Sequence, residues 1–124
     1  MEAGLAELPY WAAGIWIFFR VAGSVITVSL AEELAFRGYL IRKLIARDFE
    51  HIPLNRFTWL SFLLSSVLFG LLHDRWLAGI IAGMLFALAL YRRGQLGDAV
   101  VAHVTANALI AAYVHIYAKW ALWL

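Results

Sequence analysis

The chain has 124 residues, of which 65% are hydrophobic and 15% charged. Its mean hydropathy is +0.81. Soluble domains carry roughly 45–50% apolar residues, so this is the composition of a membrane protein. The formal charge is +2, but the basic residues are spread among connecting segments and form no stripe that could track phosphates, which argues against a nucleic-acid partner. There is no cysteine, so disulfides, thiolate catalysis and cysteine-ligated zinc are excluded.

The length fits a single domain, 1–124, with no Pro-, Gly- or Ser-rich linker and no internal repeat. Glu2 and Glu7 precede the first apolar stretch and no Lys or Arg precedes Arg20, so the basic region of a signal peptide is missing and that stretch is expected in the mature protein. Four stretches are long or nearly long enough to cross a bilayer: Tyr10 to Leu30, Phe57 to Leu72, Trp76 to Tyr91 and Ala99 to Leu122. The expected fold is an all-α, polytopic transmembrane bundle of about four spans, the first extended or kinked. Residues 31 to 47 continue the first helix, with Leu34, Leu40, Ile41, Leu44 and Ile45 on one side and Arg42, Lys43 and Arg47 on the other, as an extension along the inner surface. His51-Ile52-Pro53 breaks the pattern, Gly94 interrupts the third connection, and Asp98 stands where it could cap the last helix.

Lys and Arg in short loops are retained on the cytoplasmic side. Arg42, Lys43, Arg47 and Arg56 in one connection, and Arg92 and Arg93 in another, therefore predict cytoplasmic loops and a multi-pass protein of the cell inner membrane. Trp11, Trp16, Trp59, Trp76, Trp120 and Trp123 fall near span ends, as interfacial anchors do. Arg20 lies within an apolar face with no acid three or four residues away, which suggests snorkelling, an additional helix or a partner subunit.

An ionisable side chain at the bilayer centre costs about 2.5–3.5 kcal/mol on insertion scales, so each needs a partner or a task. In Glu32-Glu33-Leu34-Ala35-Phe36-Arg37, Glu33 and Arg37 share a helical face and can pair, whereas Glu32 is rotated by about 100° and stays free. Phe69 and His73 share a face at the end of the second span, and His103 and Asn107 share one on the last. Taken singly, each pair has a plainer explanation: an interfacial double acid, a solvated C-terminal histidine, interhelical hydrogen bonding. Together they supply a carboxylate, an imidazole and a donor pair, which fits hydrolysis of an amide by an activated water.

These three motifs, EExxxR, FxxxH and HxxxN in that order, resemble those of the CPBP or Abi group of intramembrane proteases, which includes the eukaryotic CAAX prenyl endoprotease. The similarity covers roughly residues 20 to 115. The surrounding text (AEELAFRGYLIRKL, SSVLFGLLH, LGDAVVAHVTANAL) further resembles CAAX-protease-like proteins of bacterial exosortase systems. The resemblance implies a glutamate-dependent endopeptidase acting on a peptide or protein substrate within membrane lipid. Glu32 and His73 would activate water, His103 and Asn107 would form the oxyanion hole, and Glu33, Arg37 and Phe69 would support the site. No cofactor is expected. The runner-up is a zinc enzyme built on Glu32, His73 and His103, disfavoured because the chain has no HExxH. The family's members usually carry more helices, so the chain is expected to be either a minimal core or a segment of a larger protein. Two rival classes are a non-catalytic scaffold or bacteriocin self-immunity protein, and a transporter or assembly subunit.

Depth opposes convergence. At about 1.5 Å per residue, Asn107 lies roughly 14 Å into its span and His73 roughly 24 Å into the second. Helices must tilt or break for the motifs to meet.

Overall fold

The computed structural model describes residues 2–122. Trp123, placed above among the interfacial anchors, lies outside them. The described residues are helical: α1, Glu2–Ala6; α2, Tyr10–Lys43; α3, Trp59–Leu71; α4, Trp76–Arg93; and α5, Leu96–Tyr117. Short 3₁₀ turns follow at Phe49–His51 and Trp120–Leu122. The all-α membrane bundle expected from composition is thus the architecture found.

Three helices, α2, α4 and α5, are long and apolar enough to cross a membrane. The stretch from Phe57 to Leu72 makes a shorter helix. Its 13 residues rise about 20 Å against a hydrocarbon core of about 30 Å. Thr58 stops it early: the side chain accepts the Ser61 amide at 3.2 Å, satisfying one orphan donor of the first turn. This shortness removes most of the depth conflict. The eleven steps from Leu96 to Asn107 rise about 17 Å, close to the length of α3, beyond whose end His73 lies.

The long helix α2 is not uniform. Gly23–Val28 and Leu34–Leu40 are π-helical, with Ser29–Glu33 as ordinary α-helix between them. Such wide turns are rare and gather at functional sites. The segment beyond residue 31 does continue the helix, as far as Lys43. Its buried face is Ser29, Glu33, Arg37 and Ile41, and Leu34 is exposed. Lipid is as apolar as leucine, so the groups driven inward are the ones that lipid cannot satisfy.

Close helix approach is set by glycine. Gly70 of α3 and Gly79 of α4 meet so tightly that a β-carbon on Gly79 would stand 2.9 Å from the Gly70 Cα, and one on Gly70 would stand 2.6 Å from the Trp76 carbonyl oxygen. This crossing folds the His73-Asp74-Arg75 link back sharply. At the arginine-rich end, Ile41, Phe62, Ala87, Leu90 and Ala99 form a dry apolar cluster. Gly94, at φ +66°, ends α4 in the left-handed region, its amide on the Leu90 carbonyl at 2.8 Å. Asp98 does not cap α5. It lies inside the first turn and accepts Arg93 Nε at 2.9 Å and Nη2 at 2.6 Å, clasping the connection while its charge favours the helix N-terminus.

Candidate active site

The motif residues arrive on α2, on the end of α3 and its link to α4, and on α5, and they meet. Glu33 is fully buried. Its Oε1 accepts Arg37 Nη1 at 3.1 Å and His103 Nδ1 at 2.7 Å. The pairing of Glu33 with Arg37 follows from their spacing. The bond to His103, 70 residues away, does not.

Arg37 is as buried as its partner. Its Nη2 donates to the Gly83 carbonyl at 2.6 Å, and its guanidinium lies 4.5 Å from the Phe69 ring centroid. Both contacts compensate the lost hydration of a cation. Gly83 is what permits them, because a β-carbon there would sit 3.2 Å from both Arg37 Nη2 and Phe69 Cδ1. Phe69 is the hub of this layer, edge-on to Phe36 at 5.3 Å and 4.8 Å from the His73 ring.

Glu32, the freed carboxylate, is a quarter exposed to the cavity beside it. Its Oε2 has no hydrogen-bond partner and stands 3.6 Å from His103 Nε2, beyond a direct bond. The His103 ring is stacked on Phe86 at 4.5 Å and 19° and faces the edge of Phe69 at 5.6 Å. His73 Nδ1 donates to the Phe69 carbonyl at 2.8 Å. A carbonyl can only accept, so the proton of the neutral ring is on Nδ1 and its Nε2 is an acceptor.

Glu32, His73, His103 and Asn107 line one cavity of about 380 Å³. No hydrogen bond or ion pair joins Glu32 to His73 among the described residues. A second space of about 210 Å³ opens beside it between α4 and α5, walled by Ala78, Ala82, Phe86 and Ala106. The amide of Asn107 is turned to α2, donating to the Ser24 carbonyl at 3.2 Å and to Ser29 Oγ at 3.0 Å. It therefore ties α5 to the first wide turn of α2, and its hydrogens do not point with His103 at a common spot. Among the described residues no group of three or more His, Cys, Asp or Glu is placed to hold a metal ion.

Sequence reasoning passed over Ser24, Ser29, Gly83 and Phe86. Gly79-Ile80-Ile81-Ala82-Gly83 is a small-xxx-small pattern that marks close helix contact and would have pointed to Gly83. Nothing local distinguishes Phe86 from its apolar neighbours.

A family model described as type II CAAX prenyl endopeptidase Rce1-like matches residues 14–109. The chain belongs to that family. All three motifs fall within the match, which runs from the first third of α2 to beyond Asn107 on α5. No curated protein and no solved structure matches the chain. This Rce1-like chain is thus a membrane protein of a peptidase family, with its polar residues gathered at one cavity inside the bundle.

Proposed function

We propose that the chain is an intramembrane endopeptidase in which Glu32 takes a proton from water as that water attacks a peptide carbonyl. The observation that carries this reading is the Glu32 carboxylate, a quarter exposed in a cavity that it lines together with His73 and His103. Arg37 is bonded to Glu33 instead, which leaves the Glu32 carboxylate to accept from a water in that cavity, and this places the nucleophile. His73, with Nε2 as acceptor, assists in holding that water. His103 Nε2 faces the same space and is assigned to the oxyanion. Asn107 reaches the oxyanion by exchanging its bond to Ser29, and otherwise positions α2. The arginine-rich connections favour an inner membrane with those loops cytoplasmic, and the substrate in this reading is a peptide segment reaching the bundle from lipid or its surface.

The test is cleavage of tagged peptides by purified protein in detergent or vesicles. Glu32→Gln keeps the shape and removes the base, and a loss of roughly 10³-fold or more is expected from combined base and water-positioning effects. Equal cleavage by native protein and Glu32→Gln rules the assignment out. Retention of a biological effect by Glu32→Gln without cleavage would favour the scaffold or immunity reading. Activity should survive chelators.

A further inference from the structure

Glu33 does more than neutralise Arg37. Its Oε1 takes both the guanidinium and the imidazole, and a carboxylate paired with a guanidinium only accepts. The 2.7 Å contact to His103 is therefore Nδ1–H donating to Glu33. In the neutral ring this leaves Nε2 bare, directed at the cavity and 3.6 Å from Glu32 Oε2. Phe86 stacks on the ring and Phe69 meets it edge-on, which opposes the out-of-plane rotation needed to present the other nitrogen.

We infer that Glu33 is a positioning residue that fixes the tautomer of His103, making His103 the second station of the proton taken by Glu32. This inference rests on the peptidase reading above for its rate consequences. Water loses a proton to Glu32 as its oxygen bonds the carbonyl carbon, and Glu32 passes that proton to His103 Nε2. The imidazolium then has one N–H on Glu33 and one facing the oxyanion. It returns the Nε2 proton to the leaving amine nitrogen as the C–N bond breaks and the carbonyl re-forms. No proton is left over. The oxyanion donor on Nε2 thus comes into being only as the negative charge does, which is stabilisation confined to the transition state. A neutral His103 with its proton on Nε2 would donate in the ground state as well and could not accept from Glu32.

The tautomer is measurable without substrate. The chain has only four histidines, so ¹⁵N-histidine labelling and long-range ¹⁵N–¹H correlation in micelles resolve each ring, with His103 identified by its loss in His103→Gln. The native protein should show Nδ1 protonated and Nε2 bare, with a far-downfield Nδ1 proton. Glu33→Gln, which keeps an acceptor oxygen but not its charge, should keep that tautomer, move the proton upfield and lose rate in kcat more than in KM. Glu33→Ala should let the ring revert toward the Nε2–H form, with kcat down by about 10²- to 10⁴-fold. A native ring protonated on Nε2, or a Nδ1 proton unmoved in Glu33→Gln, overturns the inference even if Glu33→Ala does not fold. Absence of cleavage by native protein with the Nδ1–H ring intact would count against the peptidase reading alone.

Discussion

The two halves of α2 are both apolar enough for a membrane, yet they behave oppositely. Tyr10–Ala22 buries no residue at all: Trp11, Phe18 and Phe19 are each about two-thirds exposed or more, at 72%, 66% and 68%. Beyond the first wide turn, the helix buries Ser29, Glu33, Arg37 and Ile41, one every fourth residue. In water the aromatic half would be the core. In lipid no hydrophobic force drives helices together, so hydrogen bonds and close packing of small residues decide what is inside. Hydropathy locates this helix, while its costly polar groups orient it.

Removing half of the buried ion pair should have the largest effect on the inward-facing half. Arg37→Leu leaves Glu33 buried beside His103 without its counter-charge, and about 3–5 kcal/mol should be lost in SDS titration from mild detergent. Gly83→Ala is next, at about 1–3 kcal/mol, because the added carbon presses on Arg37 and on the Ser66 backbone at 3.2 and 3.3 Å. The double change Gly83→Ala with Arg37→Leu should cost less than the sum of the two, since both act on one contact. Ser29→Ala removes an acceptor for Asn107 and should cost about 1 kcal/mol in the same titration. Smallest of all, Phe18→Leu on the exposed half should change stability by less than about 0.5 kcal/mol.

Arg20 sharpens the contrast from the exposed side. It is exposed, and its side chain makes no hydrogen bond or ion pair among the described residues. If lipid alone surrounds it, Arg20→Leu should leave activity intact and ease insertion, since arginine at a helix centre costs about 2.5–3.5 kcal/mol on insertion scales. Loss of activity at unchanged folding would instead mark a partner helix there.

Local spacing carried much of the site. Glu33 with Arg37 was legible because residues four apart share a helical face, and the gathering of the three motifs was implied by the expense of each polar group in lipid. The bond from Glu33 to His103 was not, because it joins residues far apart in sequence whose rotation is set by two wide turns that no residue type announces. The role given to Asp98 failed for a related reason: its spacing suits a cap, and only the tight return at Gly94 brings Arg93 within reach of it. The helix α3 is shorter than its apolar stretch because hydropathy continues through Phe57 and Thr58, whereas helix begins at Trp59. The spacing of Asn107 from His103 suggests two donors aimed at one point, but the carbonyl and hydroxyl that engage Asn107 belong to Ser24 and Ser29, which are inconspicuous in an apolar run.

The wide turns in α2 have a bearing on which changes of length the gene can tolerate. Deleting a residue from a regular helix turns everything beyond it by about 100° and would scatter the groups that must meet. A turn bonded i to i+5 already holds one residue in excess. Losing a single residue from Gly23–Val28 should therefore close the turn to ordinary pitch and leave the far half of the helix still aimed at its neighbours. Slack of this kind gives a spanning helix room to gain or lose a residue without losing its bearing.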